Sequence, residues 1–164
     1  MALTKNKKQE ILAGLTDTLG KTASAVFVSF VGLTVHEANE LRAGLKKEGV
    51  KYAVVKKTLL KRALTEKGYA GDMPELPGEV AMAHLAEGDD LTAPARALQT
   101  FVAKFKEKLA FLGAALDGRF LSGVETAAMA RIPATPVLRG MFVNVINSPI
   151  QRFAIAMSEV AKIK

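Results

Sequence analysis

The sequence contains no cysteine and only two histidines. Without cysteine, the chain has no disulfide framework, no zinc ribbon and no thiol chemistry. Two histidines are a poor basis for a structural metal site, so we expect neither a metal nor a cofactor. The chain also lacks a run of about 18 uninterrupted apolar residues, which a membrane-spanning helix needs. Its first residues lack the apolar core of a secretory signal, and we therefore expect a cytoplasmic protein.

Motifs that carry catalysis are missing as well. The phosphate-binding pattern GxxxxGK[ST] does not occur. Glu87, Asp89 and Asp90 lie close together in the sequence, but a polar turn explains them better than a metal cluster. No combination of nucleophile, base and acid stands out, so we expect a protein that is not an enzyme.

The charge that is present is unevenly distributed. The 164 residues are 49% hydrophobic, enough for one packed domain with an appendage, and carry a net charge of +7. Residues 1–67 hold 13 lysines and arginines against 6 acids, whereas residues 68–164 hold 10 of each. The whole excess lies in the first part of the chain, which indicates an anionic partner contacted by one part of the molecule.

Most of this charge lies between Gly32 and Leu64. Thr34 followed by Glu37 is a capping-box pattern that starts a helix, and Gly49 suits its C-terminal end. Val50–Val55 is a β-branched run typical of a strand, after which helical spacing resumes. From Arg42 to Arg62 there are eight basic residues against one acid. A solvated surface rarely needs such an excess, and a phosphate-binding surface does.

The N-terminal pattern adds three more lysines. Helical spacing runs from Thr4 to Leu19, with Lys5, Lys7 and Lys8 in its first turn. Cations at this position oppose the helix dipole. Either bound phosphate relieves that conflict or the end of the helix frays, and the sequence leaves both alternatives open.

The remaining patterns alternate between strand and helix. Strands are predicted at residues 23–31, 79–85, 109–116 and 119–121, and further helices at residues 92–106 and after Ser122. Residues 87–90 form a polar turn. Alternation of this kind predicts an α/β fold with a central mixed sheet packed with helices.

The chain changes character after residue 131. Residues 132–136 form a proline-containing hinge, and residues 137–164 predict an extended, apolar C-terminal helix that Pro149 kinks or restarts. Phe142–Asn147 and Phe153–Ser158 are a weak repeat eleven residues apart, close to three helical turns, so both present the same face. A helix folded onto its own sheet is the ordinary alternative. The repeat favours a partner bound in repeated copies.

Two motifs in the basic stretch carry a family resemblance. GLTV-x-E-x-x-x-LR at Gly32–Arg42 and VVK-x-TLL-x-RAL at Val54–Leu64 resemble the bacterial large-subunit ribosomal protein ten, the protein at the base of the ribosomal stalk. The resemblance implies a structural role in the large ribosomal subunit. It implies binding of 23S rRNA by residues 1–131, with ribosomal protein eleven as neighbour. It also implies that residues 137–164 hold dimers of the acidic stalk protein (protein seven/twelve), so that GTP-bound translation factors are recruited.

Candidate residues follow from the basic stretch, the repeat and this resemblance. For rRNA we expect contacts from Lys5, Lys7, Lys8, Gly32, Lys56, Lys57, Thr58, Lys61 and Arg62. For the stalk dimers we expect contacts from Leu138, Phe142, Ile146, Phe153 and Met157. Two repeat units predict two dimers, hence four copies.

Two other classes of protein stay open. A nucleic-acid-binding regulator that self-associates through its C-terminal helix would share the basic stretch and the apolar tail. A membrane-surface protein would lay that tail in the lipid interface, but the tail's few cations count against this interpretation and we expect no membrane partner.

Overall fold

The computed structural model describes residues 5–22, 24–85, 90–105 and 108–163, with only the backbone of Lys5 and Ile163. Features predicted at Thr4, Ala23, residues 87–89 and Lys106 lie outside the described residues. The chain divides into two compact units, of which the first ends at Ile132 and the second begins at Pro133.

The first unit alternates five helices with five strands among its described residues. Its helices are α1 Lys5–Lys21, α2 Val35–Lys47, α3 Lys57–Lys67, α4 Ala93–Lys104 and α5 Gly123–Ala130. Its strands are β1 Ser24–Phe30, β2 Val50–Val55, β3 Val80–Leu85, β4 Leu109–Leu116 and β5 Arg119–Ser122. The predicted α/β class with a central sheet and a long C-terminal helix is confirmed.

The strands form one sheet in the order β2-β3-β1-β4-β5. All four strand pairings are antiparallel, so the prediction of a mixed sheet is wrong in this respect. The reason is topological: Val55 at the end of β2 pairs with Val80 at the start of β3, so α3 and residues 68–79 return the chain to the same end of the sheet. The only parallel pairing among the described residues is an isolated bridge between Ala70 and Arg119.

Helices cover both faces of this sheet and create two apolar clusters. On one face, α2, α4 and α5 bury Leu41, Leu45, Leu98 and Met129 against Val26 and Val28. On the other face, α1 and α3 bury Leu19, Leu60 and Leu64 against Phe27 and Met82. Because β1 lies in the middle of the sheet, its first five residues are buried on both faces.

Local signals in the basic stretch act as predicted, with one exception. Thr34 Oγ1 accepts a hydrogen bond from the Glu37 amide, and the Glu37 carboxylate accepts one from the Thr34 amide, which completes the capping box. Gly49 follows the helix with φ of +74°, a left-handed conformation that favours glycine. Val35 has the helical spacing of an apolar stripe with Leu41 and Leu45, which are buried, but Val35 is 80% exposed because the capped first turn of α2 lies at the surface.

The second unit contains one helix, α6 Thr135–Ile163. It continues through Pro149, so the helix does not restart there. Proline removes one backbone donor, and the hydrogen bonds on either side keep the helix continuous. In the described part of the chain, no helix has both the length and the apolar character required to cross a bilayer.

Candidate nucleic-acid interface

Strand register brings the predicted rRNA-binding residues to one end of the sheet. Val55 on β2 pairs with Val80 on β3, and Val80 pairs with Ser29 on β1. Lys56 and Lys57 follow Val55 directly, and Gly32 follows β1 by two residues. We call this region the basic end: Lys7, Lys8, Gly32, Lys56, Lys57, Thr58, Lys61 and Arg62.

The start of α3 contributes backbone donors to the basic end. Lys56 is the N-cap residue, and its side chain makes no capping hydrogen bond. The first amides of a helix have no intrahelical acceptor, and the helix dipole makes this end partly positive. An anion placed beside Lys57 and Thr58 would therefore be stabilised by the backbone as well as by the lysines.

The first helix reaches the same end. α1 ends two residues before β1 begins, so α1 runs back along the sheet and its N-terminus points to the end of β1. Ile11 and Leu15 line a cavity of about 470 Å³ together with Lys56 and Leu59. Lys7 lies one helical turn before Ile11, a rise of about 6 Å. Both Lys7 and Lys8 are exposed, whereas the side chain of Lys5 lies outside the described residues.

The outward face of α3 extends the basic end. Its inward face buries Leu59, Leu60, Ala63 and Leu64. Lys57, Thr58, Lys61 and Arg62 are exposed on the opposite side. Lys61 follows Lys57 by four residues and Arg62 follows Thr58 by four, so each pair lies one above the other along the helix.

Cations of the basic end differ from the five described cations that are paired with carboxylates. Within the described ranges, none of the basic-end side chains makes a salt bridge. By contrast, Lys108 Nζ lies 2.6 Å from Glu37 Oε1, and Arg96 Nη2 lies 2.8 Å from Asp90 Oδ2. The bond from Lys108 and the hydrogen bonds from Thr34 lower the pKa of the Glu37 carboxyl to about 2. The basic-end side chains are thus not neutralised by salt bridges among the described residues.

The basic stretch is one run in the sequence but two places in the structure. Lys46, Lys47 and Lys51 lie near the beginning of β2, whereas Lys56 and Lys57 lie beyond its end. With a rise of about 3.3 Å per residue, Lys51 and Lys56 are separated by about 17 Å. The cations of the basic stretch therefore form two groups, and Lys46, Lys47 and Lys51 are not part of the basic end.

The sequence interpretation missed a groove at that other end. A groove of about 580 Å³, which we call the edge groove, is lined by Arg42, Lys46, residues 49–53 and His84. Burial and the nearby Lys51 charge lower the pKa of His84, and burial raises the pKa of Tyr52 despite the Arg42 charge. No local motif points to this groove, because strand pairing brings His84 opposite Lys51.

The predicted dimer-binding residues share one face of α6. At about 100° per residue, Leu138, Phe142, Ile146, Phe153 and Met157 fall within about 100° of arc. All five are exposed, with Phe142 at 67% and Phe153 at 69%. Asn144, Asn147, Gln151 and Ser158 lie on the opposite side of the helix by the same geometry. The helix therefore has a broad apolar face opposite a polar stripe, and Lys162 lies along that stripe near the C-terminal end.

Comparison with known proteins assigns the chain to a family. A family model described as "Ribosomal protein L10" matches residues 3–103. The chain belongs to the ribosomal protein L10 family. Its relatives include "Large ribosomal subunit protein uL10" of Shouchella clausii, 35% identical over 100% of this chain and 97% of the relative. Proteins with the same description from Staphylococcus carnosus (34% identical, 96% of this chain, 93% of the relative) and Clostridium acetobutylicum (33%, 93%, 89%) are similar to it as well.

The two kinds of match cover different parts of the candidate sites. The family model includes the basic end and the edge groove but stops before α5 and α6. The alignment with the Shouchella clausii relative extends over the whole chain, so α6 has a counterpart in that protein. The suspected family is thus confirmed, and the chain is a ribosomal protein of this family.

Proposed function

We propose that this chain is a structural, non-enzymatic constituent of the large ribosomal subunit at the base of the ribosomal stalk. Its first unit binds 23S rRNA beside ribosomal protein eleven. Its α6 helix anchors two dimers of the acidic stalk protein, and the assembly recruits GTP-bound translation factors. The protein is accordingly cytoplasmic and associated with the ribosome. The observation that carries this proposal is the separation of unpaired cations on the first unit from exposed apolar residues on α6.

The rRNA part of the proposal rests on the basic end. Exposed lysines from α1 and α3 converge there with an uncapped helix start and form no salt bridge among the described residues, and Glu79 is the acid that lines a pocket shared with Lys56 and Lys57. Lysines act as point charges towards phosphate, and Arg62 can make forked contacts. Such a surface recognises the shape and backbone of a folded RNA. Among the described residues of the basic end there is no aromatic side chain, which disfavours base stacking as the main mode of binding.

Charge reversal tests the rRNA site. In the Lys57→Glu, Lys61→Glu, Arg62→Glu variant, we expect weaker binding to purified 23S rRNA in a filter-binding assay. The slope of log affinity against log salt concentration should flatten by roughly 0.7 to 0.9 for each phosphate that the variant no longer neutralises. The matched control reverses three exposed arginines elsewhere, Arg119, Arg131 and Arg139, with the same change in net charge. Equal effects of the two variants would show that the basic end is not the RNA site.

The stalk part of the proposal rests on α6. A helix with a broad exposed apolar face indicates a partner that buries this face, because large apolar patches are rare on soluble proteins that have no partner. The two repeat units are about 16.5 Å apart along the helix axis, at about 1.5 Å per residue. Each of the two repeats presents the same face of α6. Repeated copies of one partner fit this arrangement better than two unrelated partners do.

A further inference from the structure

One of the two edge strands of the sheet is β2. In the described part of the chain, β2 pairs with β3 on one side and with no strand on the other. Lys51, Ala53 and Val54 are exposed along it, with Val54 at 53%. An unpaired edge presents a row of backbone donors and acceptors that can pair with another strand. The opposite edge differs, because Ala70 bridges to β5 there.

Cations lie on both sides of this open edge. Tyr52 packs against the cluster under α2, so Lys51 and Ala53 point to the other face of the sheet, where Lys51 pairs with His84. Arg42 and Lys46 reach the edge groove from α2. None of the described residues that line the groove is acidic, and Arg42, Lys46 and Lys51 make no salt bridge within the described ranges.

A buried polar atom lies beside the same groove. His84 is only 8% exposed, and its Nδ1 has no hydrogen-bond partner among the described residues. A buried ring nitrogen without a partner costs free energy, so the groove is not an optimised piece of the domain interior. The lowered pKa of His84 keeps it neutral near pH 7, and the positive charge of the groove comes from Arg42, Lys46 and Lys51.

We propose that the edge groove binds an acidic protein segment in extended conformation, which adds to the sheet as a further strand beside β2. Side chains of an added strand alternate between the two faces of the sheet. An acidic residue on one face would meet Arg42 and Lys46, and one on the other face would meet Lys51. Backbone hydrogen bonds to β2 would supply affinity, as they do when other sheet edges accept peptides.

An acidic peptide fits this groove better than a nucleic acid does. RNA would use the three cations but would leave the unpaired backbone of β2 without partners. Base stacking needs an accessible aromatic face, and Tyr52 is half-buried against the cluster under α2. The inference is independent of the rRNA proposal, since the edge groove and the basic end lie at different ends of β2.

Two peptides of equal charge test the backbone part of the inference on the full chain. The probe is a fluorescein-labelled peptide that alternates glutamate with threonine, and the control alternates glutamate with proline, which has no backbone donor. Fluorescence anisotropy should show the proline peptide to bind at least about tenfold more weakly. Hydrogen exchange measured by NMR should show new protection of the outward-facing β2 amides with the threonine peptide only.

Two charge-reversal variants test the location. Arg42→Glu, Lys46→Glu, Lys51→Glu should weaken peptide binding by at least about tenfold, and Lys57→Glu, Lys61→Glu, Arg62→Glu should weaken it much less. For 23S rRNA the order should be reversed. Since all six side chains are exposed and the charge change is identical, general electrostatic effects cancel in the comparison. Circular dichroism of both variants checks that the fold is kept.

Three results would overturn the inference. The first is equal binding of the two peptides without protection of β2, which would reduce the groove to a non-specific charged surface. The second is equal loss of peptide binding in both variants. The third is no peptide binding together with strong loss of rRNA affinity in the groove variant, which would make the groove part of the RNA surface. That third result would leave the rRNA proposal standing, and failure of the basic-end variant alone would leave the groove inference standing.

Discussion

The two units of the chain use apolar side chains in opposite ways. In the first unit, Phe27 and Leu60 are fully buried between the sheet and its helices. In the second unit, Phe142 and Phe153 are more than two-thirds exposed on α6. Apolar spacing in the first unit therefore reports on the protein's own fold. The same kind of spacing in α6 marks an exposed surface, which we propose that a partner covers.

The two units also differ in how their charged side chains are arranged. The first unit contains the basic end, with exposed cations from α1 and α3, and the edge groove with three more. In α6 the pair Lys162 and Glu159 is joined by a salt bridge of 2.9 Å. The first unit thus suits anionic partners bound through electrostatic attraction, whereas α6 suits a partner bound through apolar contact.

The largest effect on stability should come from truncating the core. Leu60→Ala removes a fully buried side chain from the cluster under α1 and α3. It should lower the free energy of unfolding of the first unit by about 2–5 kcal/mol. Phe142→Ala should change that free energy by less than about 0.5 kcal/mol, because the side chain is exposed. Urea unfolding followed by circular dichroism measures both, and equal costs would contradict the contrast between the units.

Binding of the acidic stalk protein should respond in the opposite sense. Phe142→Ala and Phe153→Ala should each weaken capture of one dimer by about 2 kcal/mol or more, the size of a central interface contact. Leu60→Ala, where it still folds, should leave capture unchanged. Isothermal titration with the acidic stalk protein measures the effect.

The polar stripe of α6 supplies the matched control for this binding test. Asn144→Ala and Gln151→Ala, on the opposite side of the helix, should bind as the unchanged chain does. Equal losses on both sides would show that binding does not use the apolar face. A defined oligomer of the chain alone, formed through α6, would instead favour self-association.

Helix capping should have an intermediate effect confined to the first unit. Thr34→Ala removes the side-chain oxygen that accepts from the Glu37 amide. The expected cost is about 1 kcal/mol of unfolding free energy, measured by thermal or urea denaturation. Thr135→Ala, at the first residue of α6, serves as the comparison and should leave the first unit unchanged. A Thr34→Ala protein as stable as the original would contradict the role of the capping box.

The smallest effect should appear as a pH dependence. The Glu37 carboxyl has a pKa of about 2 in the folded chain against 4.5 for the free side chain. A lowered folded-state pKa means that the stabilisation is fully present above about pH 4.5 and disappears as the pH falls towards 2. In the Glu37→Gln variant, the free energy of unfolding should therefore depend less on pH between these values. An unchanged profile in denaturation experiments at stepped pH would contradict the contribution of the Lys108 and Thr34 bonds.

Sequence reasoning succeeded where structure is determined locally. The boundaries of β2 and β4 were predicted to the residue, because turns and helix caps flank these apolar runs on each side. The capping box of Thr34 and Glu37 forms as predicted, since these residues are only three apart. The family resemblance likewise depended on two short motifs that residues 32–64 carry intact.

Long-range features were beyond the same reasoning. Strand order depends on which strands meet in space, so alternation of helix and strand suggested a mixed sheet where every strand pairing is antiparallel. The cations of the basic stretch are close in sequence but form two groups in space. Since β2 is extended, it carries Lys51 and Lys56 to opposite ends. The edge groove needs His84 beside Lys51, a proximity that only the register creates.

The most direct test compares the full chain with a chain that ends at Ile132, the last residue of the first unit. Both are co-expressed with the acidic stalk protein, purified and weighed by native mass spectrometry, and both are tested for binding to 23S rRNA. We predict that the full chain carries four copies of the stalk protein, whereas the shortened chain carries none and keeps its rRNA affinity. Capture of the stalk protein by the shortened chain would contradict the assignment of the exposed apolar face of α6 to that partner.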